Sequence, residues 1–246
     1  MTEWSVVAER GNLWHKARGG SITDRPRDRH ARFNLAAIEN FVMTAIGSSA
    51  EHYVEVYAEP LHRVQWSNDY ALVYTVNIPR GVLTLWHRHC EDTVYCAIGD
   101  VSVAETLPGQ APVTRHSVCG TAVSRAHRAE PLVHQVQNVG EEMVRFVAAE
   151  ARARPPQVMA TPLSAAGHRL DWQGDRFRVY QLDIDANSYE VEYGFHGLLV
   201  ALQPMMVAIE GAPAAESLAD GAWRWLTPPV RCRYTAPARG IVIEWC

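Results

Sequence analysis

Between Gly81 and Gly99 the chain reads GVLTLWHRHCEDTVYCAIG, with His87 and His89 two positions apart. Residues two apart on a strand share a face, so both imidazoles project to the side of Leu83 and Leu85. Two imidazoles on a buried apolar face are unfavourable unless hydrogen-bonded or bound to a metal. A turn after His89 brings Asp92 back toward them. A third histidine, His134, stands in Pro131-Leu132-Val133-His134-Gln135-Val136-Gln137-Asn138, which reads as another strand approached through a proline turn. Two histidines from one strand, a carboxylate from the next and a histidine from a distant strand make a three- or four-ligand set. Such a set leaves coordination positions open on a divalent Fe, Mn, Ni, Co or Zn ion. The competing reading is a buried histidine cluster without metal, since a chain with 11 histidines produces an HxH pair by chance often enough.

The elements that must position these residues are mostly strands. From residue 52 onward, short β-branched and aromatic stretches recur at 53–57, 70–78, 82–89, 93–98, 101–105 and 144–150. Turn signals separate them: Pro79-Arg80-Gly81, Gly99-Asp100 and Pro108-Gly109. Residues 151–162 carry Arg-Pro-Pro and Thr-Pro and read as a linker. The strand pattern then resumes at 177–184, 189–193, 198–202, 206–209 and 241–245. The two halves resemble a worn repeat, each closing on an apolar strand with a glutamate near its end, Glu150 and Glu244. Ahead of them, arginines and aspartates alternate between Arg18 and Arg32, a solvated lead-in by its mixed charge. Apolar residues from Phe33 to Ile46 approximate helical spacing, with Asn34 as cap and Gly47 as stop. The expected architecture is all-β: an N-terminal helical extension over 1–50, a first barrel over 51–155 and a second over 165–246.

Composition narrows the function classes. The 246 residues carry 23 Lys plus Arg against 27 Asp plus Glu, a formal charge of −4. That balance is poor for nucleic-acid binding, which needs clustered positive charge. No apolar run approaches the roughly 18 residues of a membrane helix, so neither nucleic acid nor membrane is an expected partner. Only Lys16 among the basic residues is lysine, a skew that fits a GC-rich bacterial genome. Five cysteines form no CxxC pair and read as reduced thiols. Residues 1–10 lack the basic-then-apolar order of a secretion signal, and a cytoplasmic location is expected.

The spacing G-x5-H-x-H, an acid, x6-G, and later H-x3-N resembles the two motifs of the cupin superfamily. Gly81, His87, His89, Gly99, His134 and Asn138 stand on that pattern. The resemblance implies two tandem double-stranded β-helix barrels, with one divalent metal in the first held by His87, His89, Asp92 and His134. The acid is Asp where the family has Glu, and the gap before it is shorter, so Asp92 is either a ligand or a group orienting a ligand histidine. In the second half the segment Tyr193-Gly194-Phe195-His196 stands where the first motif belongs, without an HxH. Arg231 stands where the first half has His134. A degenerate second barrel without its metal is expected.

The other candidates are fewer. His127, with Arg125 and Arg128 beside it, either lines the barrel mouth or is solvated. Cys96 is expected inward with Asp92 and Val94, as core filling or as a thiol near the metal; Tyr95 and Trp86 are expected to face away. The inward wall, read as Leu83, Leu85, Val94 and Ile98, suits an aromatic or aliphatic small molecule better than a sugar. The expectation is a dioxygenase-type oxidoreductase using Fe(II) on an aromatic or keto-acid substrate, with Zn, Mn, Ni or Co as other metals. A metal-dependent isomerase, cyclase or lyase and a non-catalytic binding protein are the alternatives, because the barrel hosts unrelated functions. A homodimer is left open.

Overall fold

A computed structural model describes residues 52–185 and 187–246. The expected N-terminal extension, with its arginine-rich segment and helix, lies outside the described residues. Apart from a single 3₁₀ turn at Val56–Ala58, the regular elements among the described residues are all strands, and no helix is long and apolar enough to cross a membrane.

Ten strands lie between residues 54 and 151: β1 (Val54–Glu55), β2 (His62–Ser67), β3 (Ala71–Ile78), β4 (His87–His89), β5 (Thr93–Ala97), β6 (Val101–Thr106), β7 (Val113–Ser117), β8 (Ala122–Arg125), β9 (Leu132–Asn138) and β10 (Val144–Ala151). They form two five-stranded sheets, ordered β1-β4-β9-β6-β7 and β2-β3-β10-β5-β8. Every pairing except the short β1–β4 contact is antiparallel. The motif glycines have a physical role here. Gly81 and Gly99 sit at turns with φ of 72° and 106°, a region that a side chain strains and glycine enters freely.

Nine further strands follow: β11 (His168–Gln173), β12 (Phe177–Ile184), β13 (Tyr189–Tyr193), β14 (Gly197–Ala201), β15 (Met205–Ile209), β16 (Glu216–Leu218), β17 (Trp223–Leu226), β18 (Val230–Thr235) and β19 (Ala238–Trp245). Their sheets, β11-β12-β19-β14-β17 and β13-β18-β15-β16, repeat the order of the first set. The chain is therefore two double-stranded β-helix barrels in tandem.

The barrels share a core. Val94, Cys96, Val147 and Ala149 from β5 and β10 pack with Phe177, Val179, Leu198, Ile243 and Trp245 from the second barrel. Each large apolar side chain so buried stabilises the pair by about 1.5–3 kcal/mol. This packing overturns the face assigned to β5. Val94, Cys96 and Ile98 point toward the other barrel, while Tyr95 points into its own. β5 is covered on both sides, so apolar residues fall on both of its faces and alternation carries no sign of which face is inner. The expected strand over 82–89 is also shorter. Only His87–His89 is strand; before it Leu83 makes an isolated bridge to Gln137 and is 44% exposed.

Candidate metal centre

The cluster is assembled by strand pairing. In the antiparallel β4–β9 register His87 stands directly opposite His134, and His89 opposite Leu132. One strand thus supplies two imidazoles and its neighbour a third. The fourth is His62, the first residue of β2, whose ring centroid is 4.7 Å from that of His87 and 6.1 Å from that of His89. His62, His87 and His89 each offer a ligand nitrogen within 4.8 Å of the others, and the Nε2 atoms of His87 and His134 are 2.9 Å apart.

All four rings are buried and all four are held by Nδ1. His62 Nδ1–H donates to Glu59 Oε2 at 2.7 Å, and His134 Nδ1–H to Glu105 Oε1 at 3.0 Å. His87 Nδ1–H donates to the Leu85 carbonyl at 2.8 Å, and His89 Nδ1–H to the Tyr95 hydroxyl oxygen at 3.1 Å. The Tyr95 hydroxyl donates in turn to His127 Nε2 at 3.1 Å, and His127 is hydrogen-bonded to the Glu130 backbone. With each Nδ1 carrying the proton, each Nε2 keeps its lone pair. This is how carboxylates and carbonyls fix the tautomer of metal-binding histidines.

Electrostatics favours the same state. Burial lowers the pKa of His87 to about 2, helped by the neighbouring His134 and His62. Burial also pushes His89 well down, and His134 down against the opposing pull of Glu105. His127, stacked on His89 with centroids 5.0 Å apart, is lowered to about 4 by burial and then by Arg125. Burial alone would raise Glu105, but hydrogen bonds from His134, Arg125 and Arg115 outweigh it and hold the carboxyl well below its usual range. His87, His89 and His134 are therefore held toward the neutral, metal-binding form. The donor set fits a divalent transition metal: four buried imidazoles whose Nε2 atoms converge, with no carboxylate among the converging donors.

The structure brings His87, His89 and His134 together and leaves Asp92 out. Asp92 Oδ1 accepts the Arg128 backbone N–H at 3.0 Å, and Oδ2 lies 3.6 Å from Arg176 Nε. It shares the outward face of Val94 and Cys96 and lines a cleft with Arg154 and Trp172 of the second barrel's side. Cys96 goes with it, into the core between the barrels, where burial raises its thiol to about 12. The expected wall fails as well: Leu83, Leu85, Val94 and Ile98 are absent from the lining of the first-barrel cavity, whose sides are Val76, Ile78, Val103, Val136 and Phe146. His127 is a buried neighbour of the cluster, Arg125 lines the cavity, and Arg128 pairs outside with Glu91.

Three residues escaped the sequence reading: His62, Glu59 and Glu105. Glu105 had a signal, since it continues the line Val101-Val103 on one face of β6, a lone acid in an apolar row. Glu59-x-x-His62 had only its spacing, in a stretch not recognisable as strand.

The second barrel shows what replaces the cluster. Tyr193 closes β13 opposite Val230 as His89 closes β4 opposite Leu132, each with three residues before the next strand, so a tyrosine stands at the His89 position. Arg231 is exposed and pairs with Glu190 and Glu192, so it does not reach the interior position that His134 holds in the first barrel. Tyr180, Phe195, Leu199 and Tyr234 fill the interior, and His168, which opens β11 as His62 opens β2, bonds the Tyr193 hydroxyl at 2.7 Å. His196 lies instead against Tyr70 and Trp225, at the side of the first barrel.

No family profile matches the sequence, and no curated protein is significantly similar to it. Among solved structures, the protein Ylba from E. coli is 11% identical, aligned over 76% of this chain and 85% of its own with a TM-score of 0.53. AerE from Microcystis aeruginosa is also 11% identical, over 76% and 98%, with a TM-score of 0.51. A cupin domain from Bordetella pertussis Tohama I is 28% identical over 37% of this chain and 92% of its own, with a TM-score of 0.34. Topology and these likenesses define the class of fold: two double-stranded β-helix barrels in tandem, the architecture of a bicupin. Within that class it carries a histidine cluster in the first barrel and a packed aromatic interior in the second.

Proposed function

We propose that the chain is a metal-dependent cupin enzyme, a dioxygenase-type oxidoreductase acting on a small organic molecule. One observation carries the reading: four buried imidazoles from three strands, each held by Nδ1, turn their free nitrogens toward one another beside an apolar cavity. A divalent ion there, Fe(II) above all, would retain positive charge and open positions for O₂ and a chelating substrate. The chain's own residues do the rest. His62, His87, His89 and His134 bind; Glu59, Leu85, Tyr95 and Glu105 orient them; the valine-rich wall excludes water and holds an aromatic or aliphatic body.

The test is elemental analysis of protein purified without chelator, followed by oxygen uptake with Fe(II)-loaded protein on a panel of aromatic acids and 2-keto acids. Stoichiometric metal and substrate-dependent oxygen uptake are expected. Turnover without oxygen would overturn the oxygenase assignment in favour of a Lewis-acid isomerase, cyclase or lyase. That second reading has one observation behind it: the Tyr95 hydroxyl, on the cavity wall between His89 and His127, is placed to hold or pass a proton.

A further inference from the structure

We infer that the mouth of the first barrel is a carboxylate-binding site, and that the ligand it takes is a monocarboxylate with an apolar body no larger than one ring. The inference deepens, and rests on, the assignment of the histidine cluster as the reaction centre. Apart from the histidines, the charged groups lining the cavity are Glu105, Arg115 and Arg125. Arg125 donates from Nη1 to Glu105 Oε1 at 2.8 Å and from Nη2 to Oε2 at 3.1 Å. Arg115 donates from Nε to Oε2 at 2.6 Å. One carboxylate thus faces two guanidinium groups, and the rim keeps one positive charge in excess. Glu105 also accepts from His134, so its oxygens are fully engaged.

The excess is presented in usable form. Both Nη atoms of Arg115 have no hydrogen-bond partner among the described residues, and its side chain is 54% exposed at the mouth. Planar paired N–H groups of this kind suit a carboxylate better than any neutral group. Ser117 adds a hydroxyl beside them. Beyond the histidines and the Tyr95 hydroxyl the walls are hydrocarbon, and the whole cavity has a volume of about 130 Å³, close to the ~150 Å³ that accommodates a benzene molecule. A ligand must therefore be small, with an apolar body against the hydrocarbon walls and an anionic group at the end that meets Arg115. Glu105 bridges that end to His134, so the recognised group lies one residue from the proposed metal.

Calorimetric titration at pH 8 of the full chain, metal-free and Zn(II)-loaded, with benzoate and with the equally shaped but neutral benzamide tests this. Benzoate is expected to bind roughly tenfold or more tightly than benzamide in both forms. The preference should vanish in Arg115→Met and survive in part in Arg115→Lys, with circular dichroism and zinc content unchanged. Equal affinities, undetectable benzoate binding in both forms, or a preference that persists in Arg115→Met would overturn the proposal. Failure of the chain to take up zinc would sink the metal reading alone, because the comparison in metal-free protein still decides the rim.

Discussion

His87 and His134 stand 47 positions apart in the chain and face each other across the β4–β9 pair, Nε2 to Nε2 at 2.9 Å. With both protons on Nδ1, two Nε2 lone pairs at that separation repel unless a cation lies between them. Replacing either histidine by alanine is therefore expected to drop bound metal from stoichiometric to trace levels, and His62→Ala to lower it as well. Asp92→Asn, outside the cluster, should leave it unchanged. Elemental analysis of the four variants checks this, and loss of metal in Asp92→Asn with retention in His134→Ala would contradict it.

Glu59 touches no candidate ion, yet it holds the His62 ring at 2.7 Å. Glu59→Gln keeps the shape and weakens that grip. Metal affinity should fall about 10- to 100-fold, the usual effect of losing an orienting carboxylate. Competition with a chromophoric chelator measures it, with an unchanged circular dichroism spectrum as the control for folding.

Glu150 is 3% exposed, and burial, then the nearby Glu91, raises its pKa to about 7. A carboxyl raised above its unfolded value of about 4.5 binds its proton more tightly in the folded chain. Its contribution to stability is complete below about pH 4.5, declines as the pH rises to about 7, and is flat above that. The loss across the window is on the order of 3 kcal/mol. Urea unfolding between pH 5 and 8 should show that decline in the wild type and a shallower one in Glu150→Gln.

In the second barrel Arg178 Nη1 and Glu244 Oε1 are 2.7 Å apart with side chains 7% and 0% exposed, and the Tyr180 hydroxyl donates to Oε2 at 2.6 Å. Arg178→Met leaves a buried carboxylate without its cation and should destabilise the fold by about 3–5 kcal/mol. Adding Glu244→Gln to it should recover part of the loss. Denaturant midpoints of the single and double variants give the comparison.

That His87 and His89 share a face was legible because their spacing has a local cause, and the structure adds His134 opposite His87. Two-residue periodicity puts both members of the first pair on one face, and the turn glycines Gly81 and Gly99 mark the ends of the segment that carries them. The tandem all-β order was legible for the same reason, since strands and turns are written in short-range pattern and the two halves repeat it.

What only the tertiary structure decided is which face of a strand is the inside. β5 is buried on both faces, by its own barrel and by the second, so Val94 and Tyr95 look equally internal in sequence. Packing of the two barrels sends Asp92 and Cys96 outward and Tyr95 inward, against the sequence expectation. His62, Glu59 and Glu105 reach the histidines through sheet closure, which joins residues with no local relation in the chain. Local periodicity determines which residues share a face; burial of one barrel against another determines where that face points, and with it which acids meet the histidines.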